Sequence, residues 1–237
     1  MTHNLCVDIG NTKIKSGVFY NDIILEKFYG DGFLEVVFEK YNVKNCIISS
    51  TRSKIPDNIY EIKKRVDNFI VLCHKTRLPV NINYKTPETL GRDRIAAAIG
   101  AKKLFPGDNC IVIDAGTCIT YDFIDKDNVY QGGNIAPGIR MRMEAMHRFT
   151  DNLPSVEIIY NEDPLGKSTA EALQNGSIRG TFYEISSFIQ LIIDKFGDSK
   201  VIFTGGDAKY FVNHFKTPIF ANPNLVLIGL NEIIKKI

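Results

Sequence analysis

Two Asp-x-Gly segments are the first places where residue types and their spacing suggest chemistry. Asp8-Ile9-Gly10 and Asp114-Ala115-Gly116 each end a short apolar run and precede a second one. Glycine allows a positive φ and a close approach by a ligand, so that successive N–H groups can point at phosphate oxygens. Either segment alone is also typical of a β-turn. Two in the same context favour a pair of phosphate loops.

The residues beside these segments fit phosphate chemistry. Thr12 and Thr117 add hydroxyl donors, and Lys13 or Lys15 could reach a phosphate as a point charge, with the choice between the lysines left open. The aspartates would repel phosphate, so their natural role is to hold a cation or its water. A strand follows each glycine and no Gly-x-x-x-x-Gly-Lys pattern occurs, which excludes both the dinucleotide fingerprint and the Walker A loop.

The segment Gly91-Arg92-Asp93-Arg94 precedes an Ala-rich stretch, 95–104, that predicts a helix. Asp93 then lies near a helix N-terminus, where a carboxylate is favoured for structural reasons alone. Equally, Asp93 could accept the proton of an attacking hydroxyl. Arg92 or Arg94 would then hold an anionic part of the acceptor, because guanidinium pairs bidentately with carboxylate.

Three other segments carry weaker signals. The stretch Gly132–Ile139 predicts a glycine-rich turn. Ser168 and Glu171 have the spacing of a capping box, which leaves Thr169 open to a ligand role. Gly205-Gly206-Asp207 follows an apolar strand and suits either a tight turn or the close approach of adenine or ribose.

The elements that must position these residues form a repeat. Hydrophobic patterning predicts strands at Leu5–Asp8, Ile14–Tyr20, Ile23–Phe28, Cys46–Ser49, Phe69–Leu72, Cys110–Asp114, Cys118–Ile124, Val129–Gln131 and Val201–Thr204. It predicts helices at Phe33–Tyr41, around Ile59–Val66, at Ile95–Leu104, Thr169–Phe196 and near Leu225–Ile237. Strand, Asp-x-Gly, strand, turn and strand therefore occur twice. We expect two similar α/β domains, 1–107 and 108–237, facing each other across a cleft.

Composition sets the protein class. The chain has 237 residues, 44% of them hydrophobic and 24% charged, which is typical of a globular protein of one or two domains. The net charge of +2 does not indicate nucleic-acid or membrane partners. No apolar run approaches the ~20 residues that span a bilayer, and residues 1–7 do not resemble a signal peptide.

The cysteines and histidines point to a reducing compartment and away from a zinc site. Five scattered cysteines without a Cys-x-x-Cys pair predict buried free thiols, and the four histidines do not cluster. We therefore expect a cytoplasmic protein.

Taken together, six motifs resemble type III pantothenate kinase, in that family's order and over nearly the full length. They are Asp8-Ile9-Gly10-Asn11-Thr12, Tyr84-x-x-Pro87-x-x-Leu90-Gly91-x-Asp93-Arg94, Asp114-Ala115-Gly116-Thr117, Gly132-Gly133-x-Ile135-x-Pro137-Gly138, Ser168-Thr169-x-x-Ala172 and Thr204-Gly205-Gly206-Asp207. The resemblance implies two duplicated actin-like domains of the sugar-kinase superfamily (ribonuclease H-like) around a nucleotide cleft. It also implies phosphorylation of pantothenate by ATP, the first step of coenzyme A synthesis, by a homodimer.

The resemblance also implies residue roles. ATP, which carries Mg²⁺, would be bound by Asp8, Ile9, Gly10, Asn11, Thr12, Lys13, Ile14, Lys15 and Thr117. Pantothenate would be contacted by Tyr84, Gly91, Arg92, Asp93, Arg94 and Thr169. Asp93 would be the proton acceptor, and Asp114 would bind a monovalent cation, K⁺ or NH₄⁺. Arg92 occupies a variable position of the motif, so any contact it makes could come from its backbone.

The sequence departs from the family's pattern at one position, and two alternative functions are consistent with the phosphate loops. Cys118 occupies a position where the family commonly has alanine. The rivals are another small-molecule kinase of the same superfamily, such as a sugar or acetate kinase, and a non-catalytic, actin-like ATP-binding protein. The segment Gly91–Arg94 would have no purpose in the second rival.

Overall fold

The computed structural model describes residues 1–215 and 218–236. The strands are β1 (His3–Ile9), β2 (Ile14–Tyr20), β3 (Ile23–Tyr29), β4 (Val43–Ser50), β5 (Asn68–Val71), β6 (Asn81–Ile82), β7 (Asn109–Ala115), β8 (Cys118–Ile124), β9 (Val129–Pro137), β10 (Ser199–Thr204) and β11 (Ile219–Ala221). The helices are α1 (Leu34–Lys40), α2 (Asp57–Tyr60), α3 (Arg92–Leu104), α4 (Ile139–Arg148), α5 (Thr169–Phe196) and α6 (Leu225–Ile234). The predicted helix at 59–66 is a short α2 continued by a 3-10 turn at Glu61–Lys64. Ile237, the last residue of the predicted C-terminal helix, lies outside the described residues.

The first sheet has the strand order β3-β2-β1-β4-β5. β1 pairs antiparallel with β2 and parallel with β4, so it is the centre of the sheet. Its residues 5–7 are fully buried, as expected for a strand covered on both faces. The edge strand β3 instead alternates between exposed and partly buried residues.

The second sheet repeats this order. Its strands run β11-β10-β7-β8-β9-β6, and the stretch β9-β8-β7-β10-β11 corresponds strand for strand to β3-β2-β1-β4-β5. β7 pairs parallel with β10, as β1 does with β4. β6 is an addition that pairs with β9. The duplication predicted from the two Asp-x-Gly segments is confirmed.

The chain divides into two compact units. Unit one comprises 1–108, 124–132 and 224–237, and unit two comprises 109–123 and 133–223. The core of unit one forms around β1, β4 and α1, and that of unit two around β7, β8 and α5. As functional domains, the halves 1–107 and 108–237 stay a prediction.

In unit one, helix α6 packs closely on α3 because glycine stands at their crossing. A Cβ on Gly229 would lie 1.7 Å from the Ala96 carbonyl oxygen, and one on Gly100 would lie 2.2 Å from that of Leu225. Backbones this close leave no room for any side chain at either position. The C-terminal helix therefore braces the helix that carries Asp93.

Two predictions were wrong. The segment 132–137 is not a turn but the second part of β9. Gly133 allows β9 to approach β8 closely, because a Cβ at this position would lie 1.7 Å from the Tyr121 carbonyl oxygen of β8. Cys73 is exposed, whereas Cys6, Cys46 and Cys110 are buried free thiols as predicted. Cys73 lies two residues beyond the end of β5 at Val71, outside the sheet.

Candidate active site

The first Asp-Gly segment lies in a four-residue hairpin loop of unit one. β1 ends at Ile9 and β2 begins at Ile14. The Gly10 N–H donates to the Lys13 carbonyl at 3.0 Å, and a Cβ on Gly10 would lie 3.2 Å from that oxygen. Asn11, Thr12 and Lys13 are exposed at the tip. The loop thus offers backbone N–H groups, a hydroxyl and an ammonium group at one edge of the sheet.

The second Asp-Gly segment forms a tighter hairpin in unit two. β7 ends at Ala115 and β8 begins at Cys118, so only Gly116 and Thr117 lie between them. The Gly116 N–H donates to the Cys118 carbonyl at 3.0 Å. Cys118 closes the turn through its backbone. The two loops are therefore copies in topology but differ in length and side chains.

Two glycines, Gly138 and Gly205, pack closely on the second Asp-Gly hairpin. Gly205 has φ 89°, and a Cβ there would lie 2.5 Å from Asp114 Oδ1 and 2.2 Å from the Ala115 carbonyl oxygen. A Cβ on Gly138 would lie 2.4 Å from the Thr117 carbonyl oxygen. The Asp207 N–H also donates to Ala115 at 2.9 Å, so Gly205–Asp207 makes a tight turn packed on the end of β7.

The donor set around Asp114 suits a hard cation. A carboxylate and closely spaced carbonyl oxygens are the ligands that such ions prefer. Within residues 1–215 and 218–236, no group of three or more His, Cys, Asp or Glu side chains could hold a metal ion. A cation at Asp114 would therefore draw on carbonyl oxygens, water or a bound phosphate. Burial raises the pKa of nearby Asp207, although Arg140 and Lys209 partly oppose that shift.

Asp93 lies near the N-terminus of α3, as predicted, but inside its first turn, because the helix begins at Arg92 and not at the predicted Ile95. Its Oδ1 accepts a hydrogen bond from the Arg94 N–H at 2.8 Å. Burial raises the pKa of this carboxyl group, and the hydrogen bond and charge of Arg94 only partly oppose the rise. The N-cap residue is Gly91, and a Cβ there would lie 2.7 Å from Asp93 Oδ1. Glycine at position 91 keeps open the space that the carboxylate occupies.

The two arginines beside Asp93 differ. The guanidinium of Arg92 donates to the carbonyls of Pro87 at 3.1 Å and Glu88 at 2.7 Å, so its side chain braces the loop before α3. Arg94 is only 5% exposed. Tyr84 lies nearby in the chain, with its ring centroid 6.3 Å from that of Tyr130.

The predicted site residues are divided between the two units. Unit one contains the first loop, Tyr84 and 91–94, while unit two contains Asp114, Thr117 and Thr169.

Thr169 is exposed at the first position of the 28-residue helix α5. Ser168 caps the helix, since its Oγ accepts from the Glu171 N–H at 3.2 Å. The reciprocal bond of the predicted capping box is displaced by one residue, because Glu171 Oε2 accepts from the Lys167 N–H at 2.6 Å.

Sequence reasoning missed Arg52. This residue follows β4 and donates from Nε to the Gly10 carbonyl at 2.9 Å and from Nη2 to the Asn11 carbonyl at 3.3 Å. The available signal was a basic residue directly after a strand. Its use depends on the parallel pairing of β4 with β1, which no local pattern reveals.

The duplicated topology is that of the actin-like sugar kinases. A ROK family glucokinase from Streptomyces griseus, solved with glucose and AMPPNP, matches with a TM-score of 0.55 at 14% identity, covering 99% of this chain and 98% of that one. A Campylobacter jejuni protein described as a Baf family transcriptional activator matches with a TM-score of 0.65 at 24% identity, covering 98% of each chain. At these identities the likeness shows the fold alone.

Sequence comparison identifies the family. A model of type III pantothenate kinase matches residues 4–191. A type III pantothenate kinase from Phocaeicola vulgatus is 42% identical over 98% of this chain and 97% of its own length. The chain belongs to the type III pantothenate kinase family and is a kinase.

Proposed function

We propose that this kinase transfers the γ-phosphoryl group of ATP to pantothenate, giving 4'-phosphopantothenate at the start of coenzyme A synthesis. The observation that carries the proposal, beside family membership, is the Asp93 carboxylate. It is held at a helix N-terminus, next to a glycine that leaves it space, and its pKa is raised by burial. These are the properties of a general base.

The first loop binds the phosphates of ATP in this proposal. Membership of the kinase family implies ATP with Mg²⁺ as the phosphoryl donor, and the metal neutralises phosphate charge when bound. Asp8 to Lys15 supply backbone N–H groups, the Thr12 hydroxyl and two ammonium groups. The exposed tip and the glycine at its base suit a ligand with several anionic oxygens. Thr117, in the shorter loop, adds a further contact to ATP.

The acceptor residues orient pantothenate. Its primary hydroxyl attacks the γ-phosphorus as the bond to ADP breaks, and Asp93 takes the hydroxyl proton. Arg94 pairs with the pantothenate carboxylate, while Tyr84, Gly91 and Thr169 contact the rest of the molecule. Arg92 contributes through its backbone, since its guanidinium is engaged by Pro87 and Glu88.

Asp114 binds K⁺ or NH₄⁺ in this proposal. The Asp114 carboxylate and the nearby Ala115 carbonyl oxygen supply hard ligands, and glycine at position 205 allows the backbone to come close. A fixed monovalent charge there would offset phosphate charge. Turnover in potassium buffer should then exceed turnover in sodium buffer, and equal rates would reject the site.

We also propose a cytoplasmic homodimer. Unit two exposes large apolar side chains, including Phe149 (87%), Leu165 (73%) and Leu191 (60%). We take these exposed apolar side chains as candidates for the interface between copies. Across the described ranges, 1–215 and 218–236, no helix is both long and apolar enough to cross a membrane.

An ADP-release assay tests the function against its rivals. The protein is incubated with ATP alone, and then with pantothenate, glucose or acetate added. Release that depends on pantothenate supports the proposal. Release that depends on glucose or acetate identifies another kinase of the superfamily, and ATP binding without release under any condition identifies a non-catalytic protein.

A further inference from the structure

Arg52 joins the end of β4 to the first loop and belongs to none of the six motifs that resemble the family. Its Nε and Nη2 donate to two consecutive carbonyls, those of Gly10 and Asn11. The preceding residue, Thr51, donates from its N–H and its hydroxyl to the carbonyl of Ile9, at 3.0 and 3.2 Å. The carbonyls of residues 9, 10 and 11 are therefore all held by the same short segment, residues 51 and 52.

The backbone of Arg52 is itself fixed. Its N–H donates to Ser50 Oγ at 3.1 Å, and that hydroxyl donates back to the Arg52 carbonyl at 3.2 Å. Ser50 ends β4, opposite Ile9 of β1 in the parallel pair. The guanidinium is thus carried on a short turn anchored to the central strands of unit one.

Holding these carbonyls fixes which way the amides point. In a planar trans peptide, the C=O of one residue and the N–H of the next point in opposite directions. Bonds from Arg52 to the carbonyls of Gly10 and Asn11 therefore turn the N–H groups of Asn11 and Thr12 to the opposite side of the loop. A charged donor on a carbonyl also polarises its peptide group, which makes the N–H a stronger donor.

We propose that Arg52 is a positioning residue that holds the first loop in the shape that presents its amide N–H groups to the phosphates of ATP. This rests on the proposed role of that loop. Arg52 acts through the loop backbone, so its loss should weaken the binding of phosphate groups without affecting recognition of the nucleoside. The planar guanidinium fork matters, because the single ammonium group of lysine cannot reproduce two coplanar bonds to consecutive carbonyls.

The test compares Arg52→Met with Arg65→Met as the matched control. Arg65 lies in the same unit and pairs with Glu35 of α1 at 2.8 Å. Binding is measured by displacement of a fluorescent ATP analogue, first by ATP and then by adenosine, with the thermal midpoint of each variant measured in parallel. We expect Arg52→Met to raise the Kd for ATP about tenfold or more, and the Kd for adenosine and the Tm to stay near the parent values. Arg65→Met should leave both dissociation constants unchanged.

Parent-like ATP binding by a folded Arg52→Met variant would overturn the proposal, and so would equal weakening of ATP and adenosine. If Arg52→Met does not fold, Arg52→Lys is measured in the same way, and an ATP affinity equal to the parent's would overturn it. The titrations contain no acceptor. Failure of pantothenate to stimulate ADP release would therefore count against the proposed function without affecting this test.

Discussion

At the scale of single residues, two opposing effects act on the pKa of the Asp93 carboxyl group. Burial raises the pKa of its carboxyl group, while the Arg94 N–H and charge favour the ionised form. The net rise makes the carboxylate a better proton acceptor than an exposed one, at a cost in stability. A site that must take a proton during phosphoryl transfer needs this compromise.

Replacing Asp93 by asparagine should separate the two effects. Turnover should fall by ~10²–10⁴-fold, because the proton acceptor is lost while the amide oxygen can still accept from the Arg94 N–H. The stability of the folded protein should increase, whereas turnover falls. The folded pKa lies above the unfolded one, so the ionised carboxylate destabilises the folded state as pH rises through that folded pKa.

Asp93→Asn should therefore have a higher Tm than the parent at neutral pH, and the gain should shrink as pH falls below the folded pKa. Turnover assays and thermal melts across a pH series measure both effects. Near-parent turnover would reject the base role, and a lower Tm at neutral pH would reject the electrostatic account.

Substitution of Gly91 tests whether catalysis needs the space beside the Asp93 carboxylate. Its φ of −54° and ψ of 131° suit alanine, so Gly91→Ala adds no backbone strain. The new Cβ would lie 2.7 Å from Asp93 Oδ1 and must displace the carboxylate. We expect kcat/KM for pantothenate to fall by ~10–100-fold with little change in Tm, since small displacements of a reacting group are costly.

Gly32→Ala is the control for this change, because a Cβ there meets nothing within 4 Å. It should leave the kinetics unaltered. Parent-like kinetics in Gly91→Ala would show that the space beside Asp93 is not needed.

At the scale of elements, the crossing of α3 and α6 positions Asp93 through backbone packing. α3 contacts both α6 and β4, the strand next to the central β1. Because Gly100 and Gly229 let the two helices approach, the helix that begins next to Asp93 is fixed along its length. Small shifts at the crossing would be transmitted to its N-terminus, since packed cores transmit strain.

Gly229→Ala tests the crossing. Helix propensity alone would favour alanine by ~1 kcal/mol, but a Cβ 1.7 Å from the Ala96 carbonyl oxygen forces the helices apart. We expect a net loss of ~1–3 kcal/mol in the free energy of unfolding, measured by urea denaturation.

Gly176→Ala in the interior of α5 is the matched control, since no atom lies within 4 Å of its added Cβ. This variant should be neutral or stabilised by up to ~1 kcal/mol. Equal effects of the two substitutions would contradict the close-packing account.

The elements also show what sequence patterns can and cannot predict. β2, β8 and α5 have the predicted bounds, because apolar runs, turn residues and the Ser168 cap are local signals. The role of Gly133 is not local. Glycine permits both turns and close strand approach, and only the position of Tyr121 on β8 decides between them. Arg52 escaped detection for the same reason, since its partners lie some 40 residues away in sequence.

At the scale of the whole molecule, duplication has produced two units with one topology and different loops. Unit one has the four-residue loop and Asp93, while unit two has the two-residue loop and the glycine-lined surroundings of Asp114. Repetition could be predicted from the paired Asp-x-Gly segments. The difference in loop length depends on where each hairpin closes, and it gives the two aspartates separate proposed tasks.

Identifying the product shows directly whether this kinase phosphorylates pantothenate. ATP and pantothenate are incubated with the parent protein or with Asp93→Asn, and ADP and 4'-phosphopantothenate are quantified together by mass spectrometry. We expect one 4'-phosphopantothenate for each ADP with the parent, and ~10²–10⁴-fold slower formation of both with the variant. ADP formed without phosphopantothenate, or no turnover by the parent at any pantothenate concentration, would contradict it.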